Sequence, residues 1–246
     1  LTAKRRLDEI LVLRKIASSV EEARARILAG EVRIGNERMP KAGMRYPEDC
    51  HIELSEKPPF VSRGGIKLEA ALSRFDVSVS GRTCLDVGAS TGGFTDCLLK
   101  RGAAKVYAVD TGYGKLDARL RSDGRVTLLE RTNARNLSPL EVPVPIDVAA
   151  IDVSFISVRK VLPAVVALLA PDARLVVLVK PQFEAARGEV LPGGWIEDDA
   201  VRLRVVEEVA ACAEGLGLVR LGTLESPIAG PAGNREVLLV LKKGGF

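Results

Sequence analysis

Between Thr83 and Phe94 an apolar run closes on an acid, Asp86, and opens into Gly88-Ala-Ser-Thr-Gly-Gly-Phe94. The run predicts a buried strand, the glycines predict a tight turn, and Phe94 to Arg101, closed by Gly102, predicts a helix. Glycines at a strand-to-helix turn let backbone approach a ligand where a Cβ would clash. A second apolar run, Val106-Tyr-Ala-Val-Asp110, also closes on a carboxylate, 22 residues after Gly88. Such folds set an acid against a ribose at about this spacing. The pair implies a nucleoside-containing cofactor held at the carboxyl ends of parallel strands.

Two cofactor classes are disfavoured by the loop itself. A dinucleotide fingerprint requires G-x-G-x-x-G, and the middle glycine position is Ser90; a phosphate-binding P-loop requires Lys after its last glycine, and Gly93 is followed by Phe94. S-adenosylmethionine, which has no pyrophosphate, is the remaining reading. On the loop alone, a purely structural turn stays open. The contacts expected for this cofactor are Asp86 and the loop Gly88, Ala89, Ser90, Thr91, Gly92, Gly93 and Phe94. Asp110 is expected on the ribose hydroxyls, Asn133 at the adenine edge, and Asp152 beside them.

The rest of the chain from Val61 alternates strand-like and helix-like segments. Strands are expected at 83–87, 106–110, 126–130, 147–153, 174–180, 218–226 and 235–241. Helices are expected at 94–101, 115–122, 158–170 and 198–215, with a first helix capped by Ser62 and running to Phe75. The strands are Val/Leu/Ile-rich without alternation, as in a parallel sheet covered on both faces. This predicts a doubly wound α/β domain. At 246 residues with 47% apolar content the chain has room for that domain and a small second one. No apolar run is long enough to span a bilayer. Four cysteines without C-x-x-C spacing suggest neither a zinc site nor a disulfide framework, which fits a cytoplasmic setting. The single histidine, His51, rules out multi-histidine metal sites and reads as a solvent-facing strand residue; no metal is expected.

Residues 1–57 read as a separate module. Leu7, Ile10, Leu11 and Leu13 give an apolar-periodic helix. Ser18 and Ser19 precede Glu21 and Glu22 as a capping box for a second helix, Val20 to Ala29, stopped by Gly30. Short strands follow at Val32–Ile34 and around Ile52 and Leu54. Residues 1–45 carry eleven Lys/Arg against six Asp/Glu, while the whole chain is only +4. A basic bias confined to a small module suggests nucleic-acid contact. The expected contacts are Arg5, Arg6, Arg14, Lys15, Arg24, Arg26, Arg33 and Lys41, with Arg63 beyond a proline-containing linker at 58–62. Residues 63–246 form the second domain.

The pattern Arg6-Leu-Asp8, Ala23-Arg24, Gly30-x-Val32, Gly35-Asn36 and Lys41-x-Gly43 resembles the RNA-binding domain first described in the fourth small-subunit ribosomal protein. The resemblance covers about fifty residues and implies binding of structured RNA.

Four charged residues sit at element edges. Lys67 lies in Ser62-Arg-Gly-Gly-Ile-Lys67, and Asp152 closes a strand in Asp152-Val-Ser-Phe-Ile-Ser157. Lys180 closes the next in Lys180-Pro-Gln-Phe-Glu184, and Glu236 opens the last in Gly233-Asn-Arg-Glu236. Singly, each reads as a solvent-exposed strand end; in series they point into the crevice where open sheets bind ligands. In order and context they resemble the Lys-Asp-Lys-Glu tetrad of the FtsJ-like RNA ribose 2′-O-methyltransferases. With the N-terminal module, the chain is similar end to end to the TlyA family of rRNA methyltransferases, also labelled hemolysin A. Lys115 departs from the glutamine expected after Gly112-Tyr-Gly114. The resemblance implies a Rossmann-like S-adenosylmethionine-dependent methyltransferase acting on a ribose 2′-hydroxyl, of cytidine, in ribosomal RNA within ribosomal subunits. No obligate protein partner is implied. Lys180 would take the hydroxyl proton, Asp152 and Lys67 would orient the hydroxyl and its neighbours, and Glu236 would position Lys67 or the ribose. The readings set against it are a membrane-active hemolysin, a non-catalytic RNA-binding protein on the same scaffold, and a small-molecule methyltransferase.

Overall fold

Runs of only three residues cannot build a broad sheet, and near the start of the chain they form two separate ribbons. A computed structural model describes residues 4–28, 31–35, 40, 42–54, 59–230 and 233–244. They fall into two units, Leu1–Pro59 and Phe60–Phe246. In the first, β1 (Lys4–Arg6) leads into α1 (Leu7–Leu13) and α2 (Val20–Leu28). Then come β2 (Val32–Ile34), β3 (Arg45–Pro47) and β4 (Ile52–Leu54). β1 pairs antiparallel with β3, and β2 with β4. The two helices close over Leu7, Leu11, Ala17, Ala23, Ile27 and Val32. α2 begins in a reciprocal cap: Ser19 Oγ accepts the Glu22 N–H at 3.1 Å, and Glu22 Oε2 accepts the Ser18 N–H at 2.8 Å. The β1–β3 ribbon is absent from the sequence expectation, because Lys-Arg-Arg has no apolar period to reveal a strand.

The second unit follows as α3 (Gly64–Arg74), β5 (Thr83–Val87), α4 (Gly93–Lys100), β6 (Lys105–Val109), α5 (Ala118–Arg121) and β7 (Val126–Leu129). It continues through β8 (Ile146–Ile151), α6 (Leu162–Leu168), β9 (Leu169–Val179), α7 (Pro181–Glu184), α8 (Asp199–Gly215), β10 (Leu218–Glu225) and β11 (Val237–Lys243). The seven strands form one sheet in the order β10-β11-β9-β8-β5-β6-β7. Alternate strand residues feed two cores. Leu85, Ile151, Val177 and Leu239 pack under α6 and α8, and Cys84, Ala150, Val176 and Leu238 pack under α3 and α4. Burial pushes the Cys84 thiol up to about 12, so it is packing rather than a reactive group.

Several expectations are corrected. The sheet is not wholly parallel: β11 runs antiparallel to β9 and β10. Ser62 does not cap α3, whose N-cap is Arg63 without a side-chain hydrogen bond. The 158–170 helix splits into a 3₁₀ turn, Val158–Lys160, and the shorter α6; β9 starts at once, and Pro171 lies within it. α5 covers only four residues, capped by Asp117 through the Arg119 N–H. Within the expected linker, Phe60 is buried against Leu68 and Phe94, and the Val61 N–H donates to Asp96 Oδ2 at 2.8 Å. Both residues therefore belong to the second unit.

Candidate active site

The strand order reverses at β5, with β6 on one side and β8 on the other, so the crevice at the carboxyl ends of these strands is the ligand position of an open α/β sheet. Asp152 follows β8, and Lys180 follows β9. Because β11 is reversed, its amino end reaches the same edge: Val237 pairs with Val179, which sets Glu236 beside Lys180.

The four charged residues form two ion pairs. Lys67 Nζ donates to Glu236 Oε2 at 2.5 Å, and both side chains are buried. Lys180 Nζ lies 2.5 Å from Asp152 Oδ1 without hydrogen-bond alignment, and donates to Ser154 Oγ at 2.8 Å. Glu236 thus meets Lys67. Glu236 Oε1 is buried and has no hydrogen-bond partner.

The glycine loop is built for close approach. Gly88 has φ 91°, and a Cβ there would collide with the Asp152 carbonyl oxygen. Ser90, also at positive φ, donates its N–H to Asp110 Oδ2 at 2.8 Å, and the Gly112 N–H donates to Oδ1 at 2.6 Å. Asp110 therefore ties the loop to the end of β6, with Lys115 Nζ 3.5 Å away. Asp86 is fully buried. Thr95 Oγ1 donates to its Oδ2 at 2.6 Å, while Oδ1 has no partner. Burial first, and the nearby Asp152 and Asp110 carboxylates, push the Asp86 carboxyl up to about 7. An orphaned buried carboxylate oxygen facing two further acids, beside a loop that admits no Cβ, suits a cationic nucleoside ligand.

Two expected contacts sit differently. Phe94 is buried in the α3–α4 core, with its ring against Gly64 rather than at the loop surface. Asn133 lies four residues past β7 rather than at its end, and its Oδ1 accepts the Arg135 N–H as a cap.

Several residues at this edge were not legible in the sequence. Phe155 is 92% exposed at φ 64°, a strained backbone for a bulky side chain, and its ring stands 5.2 Å from that of Phe183. The pair borders an open cleft of about 690 Å³ with Arg135, Ser157, Lys160 and Gln182. Buried Glu184 holds the Phe155 loop to α7. It accepts Ser157 Oγ and the Val158 N–H, both at 2.6 Å, and Arg159 Nε at 3.3 Å.

The basic residues of the first unit are largely committed within it. Arg6 and Arg24 both donate to buried Asp8, and the Arg6 guanidinium holds that carboxyl well below the usual carboxylate range. Arg5 pairs with Glu48, and Arg26 with Glu22; Arg14 donates to the Cys50 and Glu48 carbonyls. Lys15, Arg33 and Arg63 are exposed and form no ion pair among the described residues. Lys41 lies outside the described residues. His51 is exposed, 3.5 Å from Glu53, and no cluster able to hold a metal occurs among the described residues. No helix among them is long and apolar enough to cross a membrane.

A doubly wound sheet with a glycine loop and carboxylates at its switch point is the architecture of a Rossmann-like methyltransferase. An S-adenosylmethionine-dependent methyltransferase from Mesorhizobium loti shares this fold, with TM-score 0.54 and 17% identity over 71% of this chain and 96% of the other. Residues 60–243 match the FtsJ-like methyltransferase family and residues 5–48 the S4 domain. The chain belongs to the FtsJ-like methyltransferase family, together with curated relatives named TlyA. One, the 16S/23S rRNA (cytidine-2′-O)-methyltransferase TlyA of Mycobacterium tuberculosis, is 46% identical over 96% of this chain and 89% of its own. Hemolysin A of Brachyspira hyodysenteriae is 40% identical over 95% of this chain and 98% of its own.

Proposed function

We propose that the protein transfers a methyl group from S-adenosylmethionine to the 2′-hydroxyl of a cytidine ribose in ribosomal RNA within a ribosomal subunit. The observation that carries this reading is the pair of lysine–carboxylate contacts, Lys180–Asp152 and Lys67–Glu236, at the edge of the sheet that holds the glycine loop. When bound, S-adenosylmethionine supplies an electrophilic methyl group. The chain must orient the attacking hydroxyl and take its proton. Lys180, beside Ser154 and Asp152, is the group for that proton, which it takes as the neutral amine after releasing its own ammonium proton to solvent. Lys67, fixed by Glu236, orients the ribose from α3. Asp110 and the Gly88–Gly93 loop hold the cofactor, with the buried Asp86 and Phe94 acting from the core. The exposed Phe155 beside Phe183 offers an unstacked base an aromatic face. Of the basic residues expected to contact RNA, Lys15, Arg33 and Arg63 are exposed and form no ion pair among the described residues, which leaves them for RNA phosphates.

The test is transfer of labelled methyl to purified, unmodified ribosomal subunits. Label in rRNA, at a ribose that becomes resistant to alkaline cleavage, is the expected result. Intact cofactor binding with no label in either subunit would overturn the reading.

Asp86 adds a pH signature. The bound cation favours the ionised carboxyl, whereas the folded, unliganded protein holds this group near 7, above the ordinary value of about 3.9. Cofactor affinity should therefore rise between about pH 6 and pH 8. The contribution of Asp86 to the unliganded protein's stability should fall from about pH 4 to pH 7, because over that window the folded state binds the extra proton. Calorimetric titrations across this range, with Asp86→Asn alongside, check it. A flat wild-type profile, or an unchanged slope in Asp86→Asn, removes Asp86 from cofactor binding.

A further inference from the structure

A second cleft shares no lining residue with the one that Phe155 borders. It has a volume of about 240 Å³ and is walled by Pro181, Trp195, Ile196, Arg202, Asn234 and Arg235, with Glu197 and Asp199 at its edge. Pro181 directly follows Lys180, and Asn234 stands two residues before Glu236, so both walls are continuous with the proposed catalytic groups.

Trp195 is the chain's single tryptophan, and it is 39% exposed. The segment beneath it is tied by hydrogen bonds. The Leu191 N–H donates to the Trp195 carbonyl at 2.9 Å across a turn that uses Gly193 and Gly194 at positive φ. Asn234, 1% exposed, spends both ends of its amide on this turn: Nδ2 donates to the Gly194 carbonyl at 2.5 Å, and Oδ1 accepts the Ile196 N–H at 2.9 Å. The indole lies over Gly233, where a Cβ would stand 3.2 Å from the ring. A buried polar frame thus presents a large aromatic face to solvent at the edge of the site.

The two arginines around it are neutralised, and exposed Glu197 adds a carboxylate with no ion pair among the described residues. Arg202 pairs with Asp199 and Glu225, and Arg235 pairs with the same two acids. A cleft with paired arginines and one carboxylate in excess has little attraction for phosphate. It offers instead an indole and a proline ring, with carboxylates and guanidinium edges around them, which is the chemistry that receives a nucleobase.

We infer that the Trp195 cleft binds an unpaired base of the RNA substrate flanking the methylated nucleotide, stacked on the indole. This rests on the proposed action on RNA. Because the frame is already ordered, little conformational freedom is lost when a base enters.

The test is steady-state methyl transfer to unmodified ribosomal subunits by the wild type, Trp195→Ala and Trp195→Phe. Loss of a base stack should raise KM for the subunit about tenfold in Trp195→Ala. Its kcat and cofactor affinity should stay within about twofold, and Trp195→Phe should recover most of the loss. The lone tryptophan gives a second readout: any RNA fragment that the wild type methylates should quench its emission and shield it from soluble quenchers. An unchanged KM in Trp195→Ala, or emission indifferent to a methylated fragment, overturns the inference and leaves the proposed function standing. A fall in kcat, cofactor affinity and Tm together in both variants also overturns it, since that is the signature of a packing strut. Absence of methyl transfer by the wild type removes the proposed function, and this inference with it.

Discussion

Lys180→Ala is expected to abolish methyl transfer, by at least about a hundredfold, which is the contribution of a positioned acid–base group. Cofactor affinity should stay within about threefold of wild type. The reason for the split is positional. The cofactor's groups belong to the loop after β5 and the end of β6, whereas Lys180 closes β9 and turns toward Ser154 and Asp152. Lys180→Arg should fail almost as completely, because a guanidinium keeps its proton and cannot accept one from the ribose. Single-turnover assays with labelled cofactor, paired with calorimetry, separate the two effects. Near-normal turnover in Lys180→Ala would remove Lys180 from the mechanism. A large loss of cofactor binding would instead make it part of the cofactor site.

The edge of the sheet was readable because its signals are local. Apolar runs such as Val176–Val179 announce buried strands, and a single charge at the end of each run marks the side on which ligands bind. Direction is not local: Val237–Leu241 reads the same forwards or backwards, so the reversal of β11 emerges only from its pairing with Val179–Leu175. Partnership is not local either. Asp8 and Arg24 lie sixteen residues apart and Arg5 and Glu48 forty-three apart, so arginines that look available in the sequence are held by acids within the first unit. Exposure escapes for a related reason. Nothing in Val153-Ser-Phe-Ile distinguishes a core phenylalanine from Phe155, which stands in solvent because Glu184 pins the segment that follows it. The glycine loop shows the opposite case, since Gly88 meets the Asp152 carbonyl and only glycine fits there.

Glu236→Ala should be the most destabilising single change in the site. It leaves the Lys67 ammonium buried without its partner, a defect worth about 3–5 kcal/mol, or a fall in Tm on the order of 10 °C for a unit of this size. Loss of activity in that variant would be ambiguous, because a damaged fold also loses activity. The double variant Lys67→Met with Glu236→Leu resolves it. Two apolar side chains of similar volume replace a buried ion pair at little net cost, and often at a gain. The double variant should therefore melt close to wild type, several degrees above Glu236→Ala, and still transfer no methyl. Thermal melts and methyl-transfer assays on the two singles and the double decide between the roles. A double variant that is both stable and active would make the pair a structural strut of α3 and β11, and the chemistry would then fall to Lys180 and Asp152 alone.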